Sequence, residues 1–166
     1  MTSSARLGIF TPATARGGSE EYVIAAARRA RGIYAHVSVY LPDVSDVQSV
    51  REELEAEGVS VGTIDAPYAE PFSEAEHLAA FHDAWQVLER ERFDHLLIVL
   101  PGIEFGGPLI DAAVSFDQPT VVLYQLAGYD HYLSTVERQF YTWARRGRQR
   151  WLTVSTDNRE IGRAHV

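Results

Sequence analysis

Two runs constrain the fold of this chain more than any others: "HLLIVL" at 95–100 and "PTVVLYQL" at 119–126. Neither alternates apolar with polar residues. A strand with one wet face shows that alternation. A strand apolar at nearly every position is buried on both faces, the condition of a parallel sheet covered by helices. Both runs fall far short of the roughly 20 apolar residues that a membrane-crossing helix needs. They therefore read as central strands.

The remaining segments supply the helices such a sheet requires. Residues 19–31 place Val23, Ala26, Ala27 and Ala30 on one face at helical spacing, and Gly32 is a stop. Small residues on that face let the helix lie close to a sheet. The segment "PDVSDVQSVREELEAEG" (42–58) reads as a second helix with Val47, Val50 and Leu54 on one side. Ser45 with Gln48 suggests its capping box, and Gly58 closes it. A longer helix starts after Ser73, where Glu76 completes another capping box. Leu78, Phe81, Trp85 and Leu88 repeat along it at helical spacing. A short helix is expected near Leu109–Val114. Another is expected over 132–146, with Val136, Phe140 and Trp143 on one face and Gly147 at its end. The other expected strands are Arg6–Phe10, "HVSVYL" (36–41), "VSVGTID" (59–65) and "WLTVS" (151–155). The last stretch, "TDNREIGRAHV", reads as the start of one more helix.

Strand and helix thus alternate from end to end. The expected class is α/β: a Rossmann-like three-layer α/β/α sandwich around a mostly parallel sheet of about six strands. The 166 residues suit a single domain, 1–166. Ligands of such sheets bind beyond the carboxyl ends of the strands, where the strand order reverses. An order of 3-2-1-4-5-6 puts that cleft between the first and fourth strands. Two glycine-rich loops then face it, "TPATARGG" (11–18) and "PGIEFGGP" (101–108).

The adjacent Gly17 and Gly18 just before a helix have two readings. They make a tight turn, or they let a ligand approach the backbone. In the second case positive φ and the absence of side chains expose the first-turn N–H groups to a phosphate or other anion. There is no G-x-G-x-x-G fingerprint and no G-K-[ST] of a P-loop. Glu20 and Glu21 in the first turn complement the helix dipole. Glu104, in the second loop, is a candidate for binding sugar hydroxyls or acting as a base, against a plain solvated carboxylate. Gln125, at the end of the fifth strand, can bond a substrate or cap a loop. Phe105, Tyr129, Asp130 and His131 complete the cleft candidates. His131 beside Asp130 suggests acid–base chemistry, whereas Asp130 alone suits a helix N-cap. Glu104 and Gln125 are the candidates for a catalytic role.

Several classes are disfavoured. No cysteine is present, so thiolate metal sites and disulfides are excluded, and His77 and His82 are five apart, outside helical metal-pair spacing. No metal site is expected. A net charge of -8 disfavours non-specific nucleic-acid binding. The run "RRGRQR" (145–150) is the local exception. Arg145, Arg146, Arg148 and Arg150 complement a helix C-terminus, or touch anionic lipid or a phosphorylated acceptor. The N-terminal "MTSSARLGIF" lacks a signal-peptide layout, and a cytoplasmic setting, at most the inner face of a membrane, is expected. No G-x-S-x-G elbow occurs, which disfavours a hydrolase.

The stretch "LGIFTPATARGGSEEYVIAAARRARGIYAHVSVYLP" (7–42) resembles the N-terminal, acceptor-side domain of family 4 retaining glycosyltransferases of GT-B fold. "GGSEEYVIAAARRA" is the most specific part, since the family usually has Gly-Gly-x-Glu there. "QPTVVLYQLAG" (118–128) and "RRGRQRWLTVSTDNREI" (145–161) are similar to later parts of the same domain. The resemblance implies one half of a two-domain enzyme. This half would hold a sugar or glycan acceptor. A C-terminal donor domain, in the same or another chain, would hold most of a nucleotide-sugar. Gly17 and Gly18 would approach the donor diphosphate, and no cofactor beyond that co-substrate is implied. Gln125 stands where the family often has a cleft histidine, and "LPGIEF" replaces another. The paired glutamates of the donor domain have no counterpart in the 166 residues. The expected function is the acceptor-binding half of a retaining glycosyltransferase, inactive alone. The alternative is a non-catalytic sugar- or phosphate-binding or interaction module. A different Rossmann-like enzyme, such as a nucleotide-dependent epimerase, is disfavoured by the missing fingerprint. A homodimer through an apolar cleft face, with Phe105, Tyr124 and Tyr129, is also expected.

Overall fold

The computed structural model of the chain describes residues 3–64, 73–102, 106–125 and 147–153. The elements run β1 (Ser3–Phe10), α1 (Gly18–Ala30), β2 (Tyr34–Leu41), a 3-10 turn (Ser45–Val47), α2 (Gln48–Ala56) and β3 (Ser60–Thr63). They continue as α3 (Glu74–Glu91), β4 (His95–Leu100), α4 (Gly107–Ser115), β5 (Thr120–Tyr124) and β6 (Gln149–Thr153). The six strands form one sheet in the order β3-β2-β1-β4-β5-β6. Every pairing is parallel. This is the expected Rossmann-like α/β sandwich, the architecture of one half of a GT-B fold.

Side-chain alternation assigns the two faces. Leu7 and Ile9 of β1, Val37, Val39 and Leu41 of β2, Val99 of β4 and Leu123 of β5 pack with α1 and α2. Phe10, Tyr40, Leu96, Ile98, Leu100, Val122 and Tyr124 pack on the other face with α3 and α4. The inner strands β1, β2, β4 and β5 therefore split their apolar residues between two cores, which is why β4 and β5 show no polar alternation. On the second face Phe10 and Tyr40 stack at 4.9 Å, and Phe93 meets Phe10 edge-on at 5.9 Å.

Three local expectations change. Ser45 does not cap α2: its hydroxyl bonds Asp46, and the helix opens from a 3-10 turn at Val47 with no side-chain cap. Burial of Val47 and Val50 fixes this start through packing instead. On α3 the buried stripe is Ala80, Ala84, Val87 and Leu88, not the Leu78-Phe81-Trp85-Leu88 row. Leu78 is 56% exposed, while Phe81 and Trp85 turn sideways. Trp85 lies 4.2 Å from Phe116, just beyond α4. Small residues beneath α3 let it sit close to the sheet, and the large ones fill the seam with α4. Tyr124 is not an exposed cleft residue, because it is buried and stacked on Trp151 at 6.0 Å. The Ser73–Glu76 capping box does form, with Glu76 N–H bonding Ser73 Oγ at 3.2 Å and Ser73 N–H bonding Glu76 Oε2 at 2.7 Å. The Ser73 N–H and the Ser73 hydroxyl, which donates to the same Oε2 at 2.8 Å, hold the Glu76 carboxyl below its ordinary pKa. The helix expected at 132–146 and the segment after 153 lie outside the described residues.

The start of α4 depends on one glycine. Gly106 caps it in the left-handed region at φ 76°, and a Cβ there would come within 2.5 Å of Leu100 Cδ2. Gly106→Ala should lower unfolding free energy by about 1–2 kcal/mol through the left-handed backbone alone. Chemical denaturation checks this, and an unchanged midpoint would contradict it.

Candidate functional site

The strand order reverses between β1 and β4. Beyond Phe10 the chain turns toward α1, and beyond Leu100 it turns toward α4. These two exits open the carboxyl edge of the sheet. In the register Phe10 pairs with Ile98, so β4 runs two residues further. Gln125 closes the far side: its backbone N–H bonds the Leu100 carbonyl at 2.9 Å, which ties the end of β5 to the end of β4. Its side chain is half-buried at this rim.

The loop from Thr11 to Gly17 is organised from within. Thr11 N–H bonds the Tyr40 carbonyl at 3.1 Å, and the buried Thr11 hydroxyl accepts from Ala13 N–H at 3.4 Å. Arg16 turns away from the cleft. Its guanidinium bonds Glu21 at 2.7 Å, Glu53 at 2.8 Å and Ser49 at 3.3 Å, which fastens the loop tip to α1 and α2. Arg28 bonds Glu53 as well, and both arginines hold that carboxyl below its ordinary pKa. All these groups are well solvated, so the network steers geometry more than it adds stability.

Gly17 and Gly18 sit where the sequence placed them, at the entry to α1, and both are exposed. Their conformation differs from expectation. Gly17 is extended at φ -160°, and neither glycine has positive φ. Packing does not demand them either. A Cβ on Gly18 would meet nothing within 4 Å, and one on Gly17 would meet only Glu20 Oε2, at 3.4 Å. The chain's own fold thus tolerates alanine here. Beneath them, Glu20 accepts the Gly17 N–H at 2.7 Å and closes the N-terminus of α1 from inside. Glu20 is only 2% exposed, and its Oε1 has no hydrogen-bond partner. Leaving a buried polar atom unpartnered costs about 1–3 kcal/mol, more when it is charged. Glu21, by contrast, is exposed and acts as a surface partner of Arg16. Helical spacing carried a signal that dipole reasoning passed over. Glu20 lies three and four residues before Val23 and Ile24, on the apolar face.

A second polar cluster went unread in the sequence. His77, in the first turn of α3, bonds Asp111 of α4 at 2.9 Å through Nε2. Both helices start at the carboxyl edge, so the pair braces the α3–α4 seam on that side. Burial pushes the Asp111 carboxyl up, and the His77 bond only partly offsets this. The signal was there: Asp111 is the one charge in "PLIDAAV".

A cavity of about 480 Å³ opens at the opposite, amino edge, lined in part by Arg6, Arg31, Tyr34, His36, Ser60 and Glu91. Its cations have internal roles. Arg6 pairs with Glu91 at 3.0 Å, and Arg31 donates to the Glu57 carbonyl at the end of α2. The carboxyl ends of α1, α2 and α3 converge there, and their dipoles disfavour an anion. The carboxyl edge is therefore the candidate site. Arg148 and Arg150 also lie at the amino end of their strand, away from it, and Arg150 bonds the carbonyls of Gly147 and Gln149. Glu104, Phe105, Tyr129, Asp130, His131, Arg145 and Arg146 lie outside the described residues. Among the described residues no helix is long and apolar enough to cross a membrane.

Neither a protein-family model nor a curated protein sequence matches the chain. Solved structures do match in fold. MurG from Acinetobacter baumannii is 15% identical with a TM-score of 0.54, over 83% of this chain and 39% of that one. A putative UDP-N-acetylglucosamine 2-epimerase from Listeria monocytogenes gives 10% identity and a TM-score of 0.60, over 98% and 42%. UDP-GlcNAc 2-epimerase from Neisseria meningitidis, bound to UDP-GlcNAc, gives 15% and 0.57, over 97% and 43%. The chain spans about two-fifths of the length of these proteins. At such identities the likeness establishes the fold.

The raised Asp111 carboxyl has a signed consequence. A carboxyl with a folded pKa above its unfolded value adds stability while protonated and loses it as pH rises through the folded pKa. Asp111→Asn should therefore gain stability relative to the parent chain between about pH 4 and pH 6. Denaturation at both pH values reads this, and a constant difference would contradict it.

Proposed function

We propose that this chain is the acceptor-side half of a retaining glycosyltransferase that draws on a nucleotide-sugar. The observation that carries the reading is the open entry to α1. Two exposed glycines that the fold itself does not require stand at the strand-order reversal, the place where such sheets bind ligands. The likeness in fold to a protein bound to UDP-GlcNAc supports the ligand class.

In this reading Gly17 and Gly18 keep side chains away from the donor diphosphate, and the N–H groups of Gly18 and Ser19 face its oxygens. The acceptor lies toward the loop after β4 and the end of β5, where Glu104, Phe105, Gln125, Tyr129, Asp130 and His131 are its candidate contacts. Glu104 is the candidate base and Gln125 a polar contact in place of a histidine. Most donor contacts come from a second domain, so positioning for transfer needs both halves. No metal or further cofactor is assigned.

A second reading has a specific observation behind it. Two of the structural neighbours are named as UDP-GlcNAc 2-epimerases, and they align over nearly the whole chain. Disfavouring an epimerase for want of a dinucleotide fingerprint addresses only NAD(P)-dependent enzymes. A UDP-sugar epimerase half fits the same edge and the same glycine pair.

Incubating residues 1–166 with a panel of nucleotide-sugars and glycan acceptors separates the readings. Weak sugar binding without turnover is expected from the isolated half. Turnover together with a Kd tighter than about 1 μM would overturn it. Added to a donor domain, glycosyl transfer to an acceptor supports the first reading, and interconversion of the sugar without transfer supports the second.

A further inference from the structure

The amino-edge cavity holds a constellation that the carboxyl-edge reading leaves unused. Tyr40 of β2 packs on the α3 and α4 side of the sheet, and side-chain alternation puts Ser38 and His36 on the same face, nearer the amino edge. Ser60 of β3 is the register partner of Ser38, so the two serines stand side by side on strands about 4.8 Å apart. All three residues line the cavity of about 480 Å³, and His36 and Ser60 are exposed to it. Among the described residues no side-chain hydrogen bond engages His36, Ser38 or Ser60. The charged groups around them, by contrast, are fixed. Arg6 bonds Glu91 at 3.0 Å, its backbone N–H bonds Asp94 Oδ2 at 2.7 Å, and its guanidinium lies 5.8 Å from the Phe93 ring centre. Arg31 is held on the Glu57 carbonyl.

We propose that this cavity binds a neutral polyhydroxyl ligand, a sugar residue, with His36, Ser38 and Ser60 bonding its hydroxyls. The balance of polar groups carries the inference. A neutral imidazole and two serine hydroxyls each donate and accept, which matches a row of sugar hydroxyls that do the same. A phosphate is opposed by the converging carboxyl ends of α1, α2 and α3. A free cation meets Arg6 and Arg31. What remains is a neutral, polar ligand. The volume lies within the range of about 300–1,000 Å³ common to small-molecule sites. Tyr34, packed edge-on against His95 at 5.7 Å, gives the lining an aromatic element. Because the arginines are already held in place, binding orders few side chains, and the ligand hydroxyls exchange for water at open groups. The site goes beyond the nucleotide-sugar reading and does not depend on it. The helix ends that leave room for a sugar here oppose the diphosphate that the other reading places at the carboxyl edge.

The test is an amide NMR titration of the chain with the methyl glycosides of glucose, galactose, mannose and N-acetylglucosamine, each taken to about 50 mM so that a millimolar Kd is read. At least one of them should shift the amides of His36, Ser38 and Ser60 saturably, and inorganic phosphate at the same concentration should not. A double variant, Ser38→Val with Ser60→Val, keeps strand-forming residues and removes both hydroxyls, so the sugar affinity should fall about tenfold. The absence of a saturable shift at these amides with every sugar overturns the proposal. So does tighter binding of phosphate there, or an unchanged sugar affinity in the double variant. Should that variant not fold, the parent chain's response to sugars against phosphate decides alone. The probes carry no nucleotide, so failure here is separable from failure of the nucleotide-sugar reading, which the turnover assay reports.

Discussion

The inner strands of the sheet have no wet face, and the rest of the molecule follows from that. Once β1, β2, β4 and β5 bury apolar side chains on both sides, helices must cover both layers, and every crossover must return the chain to the same edge. The loops that remain free for chemistry are then confined to the carboxyl ends of the strands. The reversal between β1 and β4 singles out two of them. The location of the site is thus a consequence of burial before any residue in it is considered.

That chain of dependence also explains which parts were legible in the sequence. The continuous apolar runs of β4 and β5 and the alternation of strands with helices specify the class; the order 3-2-1-4-5-6 entered as a supposition, and the sheet has it. Local details were less legible where one residue type serves two purposes. Ser45 has the chemistry of a cap, but packing of Val47 starts α2 differently. The aromatic row of α3 has helical spacing, but the close approach of helix to sheet favours Ala80 and Ala84 beneath it. Phe81 and Trp85 then serve the α3–α4 seam. Both errors have one cause: tertiary packing overrides the strongest local signal.

The site was legible in position and less so in chemistry. The glycine pair lies at the entry to α1 as expected, although without the positive φ that usually explains such glycines. Glu20 read as a dipole complement, because a carboxylate in a first helical turn needs no other account. Its spacing before Val23 and Ile24 sets it on the apolar face, where it is buried, whereas Glu21 is exposed. The His77–Asp111 brace joins residues 34 apart in sequence on two helices, which no spacing rule connects. The two edges of the sheet now contrast clearly. At the amino edge, arginines and acids satisfy one another and the converging helix ends. At the carboxyl edge, the exposed Gly17 and Gly18 open α1 above the buried Glu20, one oxygen of which has no hydrogen-bond partner.

The most direct test of this account is an amide NMR titration of the chain with UDP-GlcNAc at roughly millimolar concentration, the range suited to a half-site. The account predicts that shifts centre on Gly17, Gly18, Ser19, Gly102, Gly106 and Gln125 at the carboxyl edge. Shifts centred instead on Arg6, Arg31, His36 and Ser60 around the amino-edge cavity would contradict it.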